Sequence, residues 1–157
     1  MSTVQGLPAH ILLVHVIVVL IPGTAVLAVL CALSPKARAH LIWLVAVLAV
    51  AVTALTPVTT EAGEWLEHHI DRTDALRAHT ALGDTMPYVS IALLLAVALL
   101  VVVHLRERRG HTTSKAVAIV VAIVVAAVSA AATIQVYRVG DSGSRSAWGD
   151  VVSSAGE

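Results

Sequence analysis

The sequence predicts an all-α membrane protein: a four-transmembrane-helix bundle with an outer-face amphipathic loop segment. Three observations carry this. Of 157 residues, 58% are hydrophobic and only 13% charged, more apolar surface than a soluble domain of that size can cover. The apolar residues fall in four blocks, Ile11–Leu33, Leu41–Val58, Tyr88–Val103 and Ala116–Val136, each close to the ~20 residues that cross ~30 Å of hydrocarbon. The blocks are continuous rather than alternating, and a four-strand open sheet could not satisfy its edges in lipid, so spanning strands are excluded. Length allows one domain.

Taken in order, helix one is expected over about 9–33. The leader "MSTVQGLPAH" holds no Lys or Arg, and the apolar run exceeds a signal-peptide core, so this block reads as a retained helix. Pro22 and Gly23 in its middle predict a kink or a close helix contact. Cys31 is the single cysteine, which rules out an internal disulfide, a Cys-x-x-Cys metal site and a Cys-x-x-Cys-His haem attachment.

Helix two is expected over about 40–58, ending where "LTPVTTEAGE" brings Pro57 and a run of threonines. The outer loop, 59–83, is the longest polar stretch. In it Glu61, Glu64 and His68 share one helical face, with Trp65, Leu66, His69 and Ile70 largely on another. That pattern suits an interfacial helix with its tryptophan at headgroup depth. "TDALRAHTALGD" then reads as a second helical start with Asp74 as N-cap, and His79 shares a stripe with Leu76 and Leu82.

Helix three is expected over about 84–105. Its apolar block is short, so it borrows Thr85–Pro87 or His104, with a kink at Pro87. Helix four, about 115–138, is nearly all Val, Ala and Ile, and "AAVSAAAT" (126–133) offers a small-residue face for close packing. Beyond it, 140–157 reads as a short extracytoplasmic tail, with Gly140 and Gly143 bracketing Asp141 in a turn.

Charge orients the bundle. Lys36 and Arg38 follow helix one, and Arg106, Arg108, Arg109 and Lys115 follow helix three against one acid, Glu107. The positive-inside rule puts both basic loops in the cytoplasm and both termini outside. The zero net charge hides this polarity, and no patch suits nucleic acid.

Eight histidines are the compositional anomaly. His40, His104 and His111 belong to the inner side; the first two are a second-tier ligand pair or plain interfacial anchors. His10, His68, His69 and His79 belong to the outer side. His15 lies ~7 Å deeper than His10 and is the one ionisable residue well inside an apolar block, a functional hypothesis by default. Five residues separate His10 from His15, ~140° around a helix, so they do not form one chelate. Depth favours His10 over His15 as the partner of His79.

Two chemistries fit this set. A b-type haem needs two neutral histidines on different helices, which His15 or His10 with His79 could supply. A divalent metal, zinc or copper, needs three or four N/O ligands, for which His10, His79, Glu64 and His68 or His69 are the candidates.

"GLPAHILLVH", "TTEAGEWLE", "RAHTALGD" and "YRVGDSGSRSAW" together resemble an uncharacterised bacterial membrane family, domain of unknown function 2231. The resemblance covers most of the chain and implies a four-helix integral domain in the plasma membrane. It maps the family's histidine pattern onto His10, His15 and His79, with Gly63 and Glu64 in the loop motif. Ile11 stands where a proline is usual, Val16 where an aromatic is, and Asp141 where many relatives carry histidine, which weakens a ligand role for the C-terminal turn. Some members are joined to Rieske or cytochrome domains, which implies redox or haem biology.

The expected function is haem or metal binding by the outer-face histidines, in electron transfer or metal handling. The expected surroundings are the lipid bilayer and a membrane redox complex or homo-oligomer. The rival reading is a non-catalytic accessory subunit, since no nucleophile–base pair, P-loop or Rossmann motif suggests an enzyme. A small transporter ranks third: intramembrane carboxylates are lacking, and Pro22–Gly23 is the only sign of a broken helix.

Overall fold

The structure, a computed structural model, describes residues 3–4, 7–68 and 73–154. Two-residue strands β1 (Thr3–Val4) and β2 (Leu7–Pro8) pair antiparallel ahead of five helices: α1 (Ala9–Leu33), α2 (Pro35–Glu67), α3 (Asp74–Gly83), α4 (Met86–Arg108) and α5 (Lys115–Ser154). α1 packs on α2 and α5, and α4 packs on the same two. The long helices therefore form an up-down-up-down ring in the order α1, α2, α4, α5, while α3 packs against α5.

Four stretches, Leu12–Leu33, Pro35–Glu67, Asp74–Arg108 and Lys115–Trp148, are long and apolar enough to cross a membrane. Their outward faces carry bare hydrocarbon, with Val19 71%, Leu95 65% and Ile123 62% exposed. Lipid, not water, is the solvent such a surface requires.

One buried stripe runs down each helix in steps of three and four. On α1 it is Ile17, Ile21, Thr24, Ala28 and Cys31; on α2, Arg38, Ile42, Val45, Ala49, Val52, Thr56 and Thr59. On α4 it is Met86, Ser90, Leu93, Val97, Leu100 and His104; on α5, Val125, Ser129, Ala132 and Val136. A sustained seven-residue period keeps one seam of each helix against its neighbours. The seam is apolar in two clusters, one around Ile42, Val97 and Val125, the other around Ile21, Leu93 and Ala132. Thr24 and Ser129 lie between them, both buried and, among the described residues, with no hydrogen-bond partner for their hydroxyls.

Several helix ends differ from expectation, each for a local reason. α1 and α2 are separated by Ser34 alone. Ser34 caps α2, accepting from the Ala37 amide at 3.2 Å, with Pro35 in the first turn where its missing N–H costs nothing. Lys36 and Arg38 thus belong to helix, not loop. At the far end Pro57 does not stop α2, because the buried stripe continues through Thr59 and rewards helix more than one lost bond costs. Gly23 makes no close contact: a Cβ there would meet nothing within 4 Å. The N-cap of α3 is Thr73, which accepts from the Leu76 amide at 3.2 Å, and Asp74 is the first helical residue.

The expected turn at 140–143 is absent, and α5 runs unbroken to Ser154. Ser142, Ser144 and Ser146 each donate to the carbonyl three residues back at 2.8–2.9 Å. Arg145 reaches Asp141 at 3.1 Å, and α3 packs along this extension. Gln135 of α5 donates to the Thr85 hydroxyl at 2.7 Å, tying α5 to the break between α3 and α4.

The basic end of the bundle is clasped by one ion pair. Arg38 donates to both carboxylate oxygens of Glu107, at 2.7 and 3.2 Å, and to the Cys31 carbonyl at 2.7 Å. α4 then ends in a Schellman turn: His111 N bonds Arg106 O at 3.1 Å and Gly110 N bonds Glu107 O at 3.0 Å. Gly110 takes the left-handed φ of 81° that this turn requires.

Candidate functional site

At the opposite end the seams of α1, α2 and α5 converge with α3 around two histidines. His10 lies seven residues before Ile17, so it continues the buried stripe of α1 to the helix mouth. His79 comes from α3, which packs on α5 at this end. Their ring centroids are 6.4 Å apart with the planes at 77°.

Each ring is held by its Nδ1. That of His10 lies 2.9 Å from the Thr59 carbonyl on α2. A carbonyl only accepts, so the proton is on Nδ1, and the neutral ring carries its lone pair on Nε2. The Nδ1 of His79 lies 3.0 Å from the Ser142 hydroxyl on α5, and that hydroxyl can donate to the Val139 carbonyl at 2.9 Å. With the hydroxyl turned to Val139, Ser142 accepts from Nδ1 of His79 and the neutral ring keeps its lone pair on Nε2; turned to the ring, it donates to Nδ1 instead. The Val139 carbonyl also lies within hydrogen-bonding reach of the His79 ring.

Two glycines make room for the rings. A Cβ at Gly63 would stand 2.9 Å from Cε1 and Nδ1 of His10, and one at Gly143 would stand 3.0 Å from Cε1 of His79. A side chain at Gly63 forces the His10 ring to shift, and one at Gly143 forces the His79 ring to give by a few tenths of an ångström. Both glycines continue buried stripes: Gly63 follows Thr56 and Thr59 on α2, and Gly143 follows Val136 and Val139 on α5.

The two rings border a cleft of about 60 Å³ whose other walls are mostly aliphatic, with Thr56, Thr59 and Thr60 as the remaining polar lining. That is space for an ion or a few waters, since one water needs ~10–15 Å³ of such space.

The other predicted residues sit elsewhere. His15 is exposed on the outward side of α1 and does not line the cleft. Glu64 is exposed on α2, and His68 is exposed at its C-cap. His69 lies outside the described residues. Among the described residues no three His, Cys, Asp or Glu side chains converge as a metal-binding group. At the basic end His40 is exposed, its Nδ1 2.8 Å from the Lys36 carbonyl of its own helix. His104 is buried and edge-on to Trp43 at 6.4 Å. No hydrogen bond or ring contact joins His40 to His104 among the described residues.

Sequence reasoning missed Thr59, Ser142 and Gly143, the residues that hold and seat the rings. The signal was present in the stripe spacing, which extends past residues 58 and 138 without a break in phase.

The fold and the cleft define a four-span membrane protein with a paired-histidine site at one end. The family described as "Predicted membrane protein (DUF2231)" matches residues 6–156, and the chain belongs to that family. No curated protein and no solved structure matches it.

Proposed function

We propose that this membrane protein binds a copper ion at its outer face through Nε2 of His10 and Nε2 of His79, in metal handling or electron transfer there. The observation that carries the reading is the pairing of the two rings, 6.4 Å apart and each anchored through Nδ1, at one cleft. The Thr59 carbonyl takes the Nδ1 proton of His10, and Ser142 holds Nδ1 of His79, which leaves the Nε2 atoms as the ring nitrogens open to a metal. Metal-ligating histidines are held in this way, with the distal N–H on a carbonyl or hydroxyl.

Ligand number selects among metals. Imidazole suits zinc, copper, iron and nickel, but a protein zinc site takes three or four ligands from the chain. Monovalent copper accepts two neutral nitrogen donors. The cleft favours a bare ion over haem, since a porphyrin would have to pass between two rings already in edge contact.

The test is purification in mild detergent followed by elemental analysis, a visible spectrum and a Cu(I) titration against a chromophoric chelator. The expected result is one copper per chain, no Soret band, and affinity at least about tenfold weaker in His10→Gln or His79→Gln, in line with losing one ligand. A Soret band lost in His79→Gln moves the site to haem. Protein that is colourless and takes up no metal overturns the reading and leaves the accessory-subunit role.

A further inference from the structure

The basic end carries a second surface, on the groove between α2 and α4. Trp43 is 52% exposed, and its ring meets His104 of α4 edge-on at 6.4 Å. His40 and Lys36 stand one and two turns closer to the start of α2 on the face of Trp43, and both are exposed. Arg108 stands one turn beyond His104 on the same face of α4 and is also exposed. Because α2 and α4 run antiparallel, all three lie on the same side of Trp43, about 5–10 Å from it along the bundle axis.

The only acid at this end of the sequence is Glu107, and Arg38 holds both its oxygens. No ion pair engages Lys36 or Arg108 among the described residues. Cations without counter-ions beside an amphipathic ring, at the end of a lipid-facing groove, match a phosphate above and an acyl chain below.

We infer that the α2–α4 groove binds an anionic phospholipid, its headgroup phosphate held by Lys36 and Arg108 and its upper acyl chain lying against Trp43. Bracing by Arg38 and Glu107 fixes the spacing of the two helices and removes the one carboxylate that would compete with the phosphate.

The experiment uses the full chain carrying Trp65→Phe and Trp148→Phe, so that Trp43 is the only tryptophan. It is reconstituted in phosphatidylcholine vesicles containing either brominated phosphatidylglycerol or brominated phosphatidylcholine at equal mole fraction. Bromine quenches only when an acyl chain touches the ring, so soluble phosphate cannot produce the signal. The expected result is a preference for phosphatidylglycerol of roughly five- to thirtyfold, from one or two cations near the headgroup. Lys36→Gln/Arg108→Gln should abolish it and Arg106→Gln/Arg109→Gln should spare it. Equal quenching by the two lipids overturns the inference, and so does a preference that the first double variant retains, which would be the diffuse field of the loop.

Discussion

Replacing Arg38 by Met removes three charge-assisted hydrogen bonds, at 2.7, 2.7 and 3.2 Å. Breaking a fully buried pair from one side costs roughly 3–5 kcal/mol. Here the Arg38 side chain is 6% exposed but that of Glu107 is 30% exposed, so water recovers part of the loss and about 2–3 kcal/mol is the working figure. For a chain of this size that lowers Tm by about 5–10 °C. Circular dichroism of the purified protein in detergent would record it. Arg38→Lys keeps the charge but not the fork and should fall about half as far. The decisive arm is Arg38→Met with Glu107→Leu, which removes both charges and should return to within about 3 °C of the parent, because nothing charged is left buried. Two additive losses in that double variant, or a single-variant shift under about 2 °C, would refute the coupling.

Other consequences follow from the same geometry. Gly143→Ala and Gly63→Ala should each weaken copper binding at least about tenfold, while Tm moves by only a few degrees. The ~1 kcal/mol gained from alanine in a helix offsets much of the 1–3 kcal/mol of crowding, so equal losses of stability and affinity would count against the seating role. Thr24→Val replaces a buried, unpartnered hydroxyl by a methyl and should stabilise by about 1–2 kcal/mol, read as a higher Tm in the same detergent. Ser34→Ala removes the cap between α1 and α2 and should cost about 1 kcal/mol, visible as a Tm drop of about 2–4 °C.

The four spans were legible because hydropathy in continuous blocks is a strong signal and lipid admits few alternatives. The ends were not, because Pro57, Gly140 and Gly143 act as breakers only where nothing else holds the backbone. Here the buried stripe of α2 carries helix through Pro57, and α3 with Ser142 carries it through Gly143. Depth along the helices ranked His10 above His15 beside His79, and the structure places His10 against His79 with His15 on the outward side of α1. Ser142 and Thr59 carried no mark of their own, since a hydroxyl and a carbonyl become partners only once distant helices fix the ring. Arg38 and Glu107 were both counted as loop charges, and their 69-residue separation hid the pairing that closes the basic end.

The seven-residue seam also makes the height of the bundle modular. Arg38 and Gly63 stand on one seam of α2, with the ion pair at one end and the seat of His10 at the other. Excising one residue between them turns everything beyond by ~100° and must unseat one end. Excising seven restores the phase to within ~20° while shortening the rod by ~10 Å. Matched excisions from all four spans would therefore yield a squatter protein with both ends chemically intact, suited to a membrane about a third thinner. The separation of the ion pair from the paired histidines is thus set by the number of heptads, and the identity of the residues within each heptad can vary without moving either end.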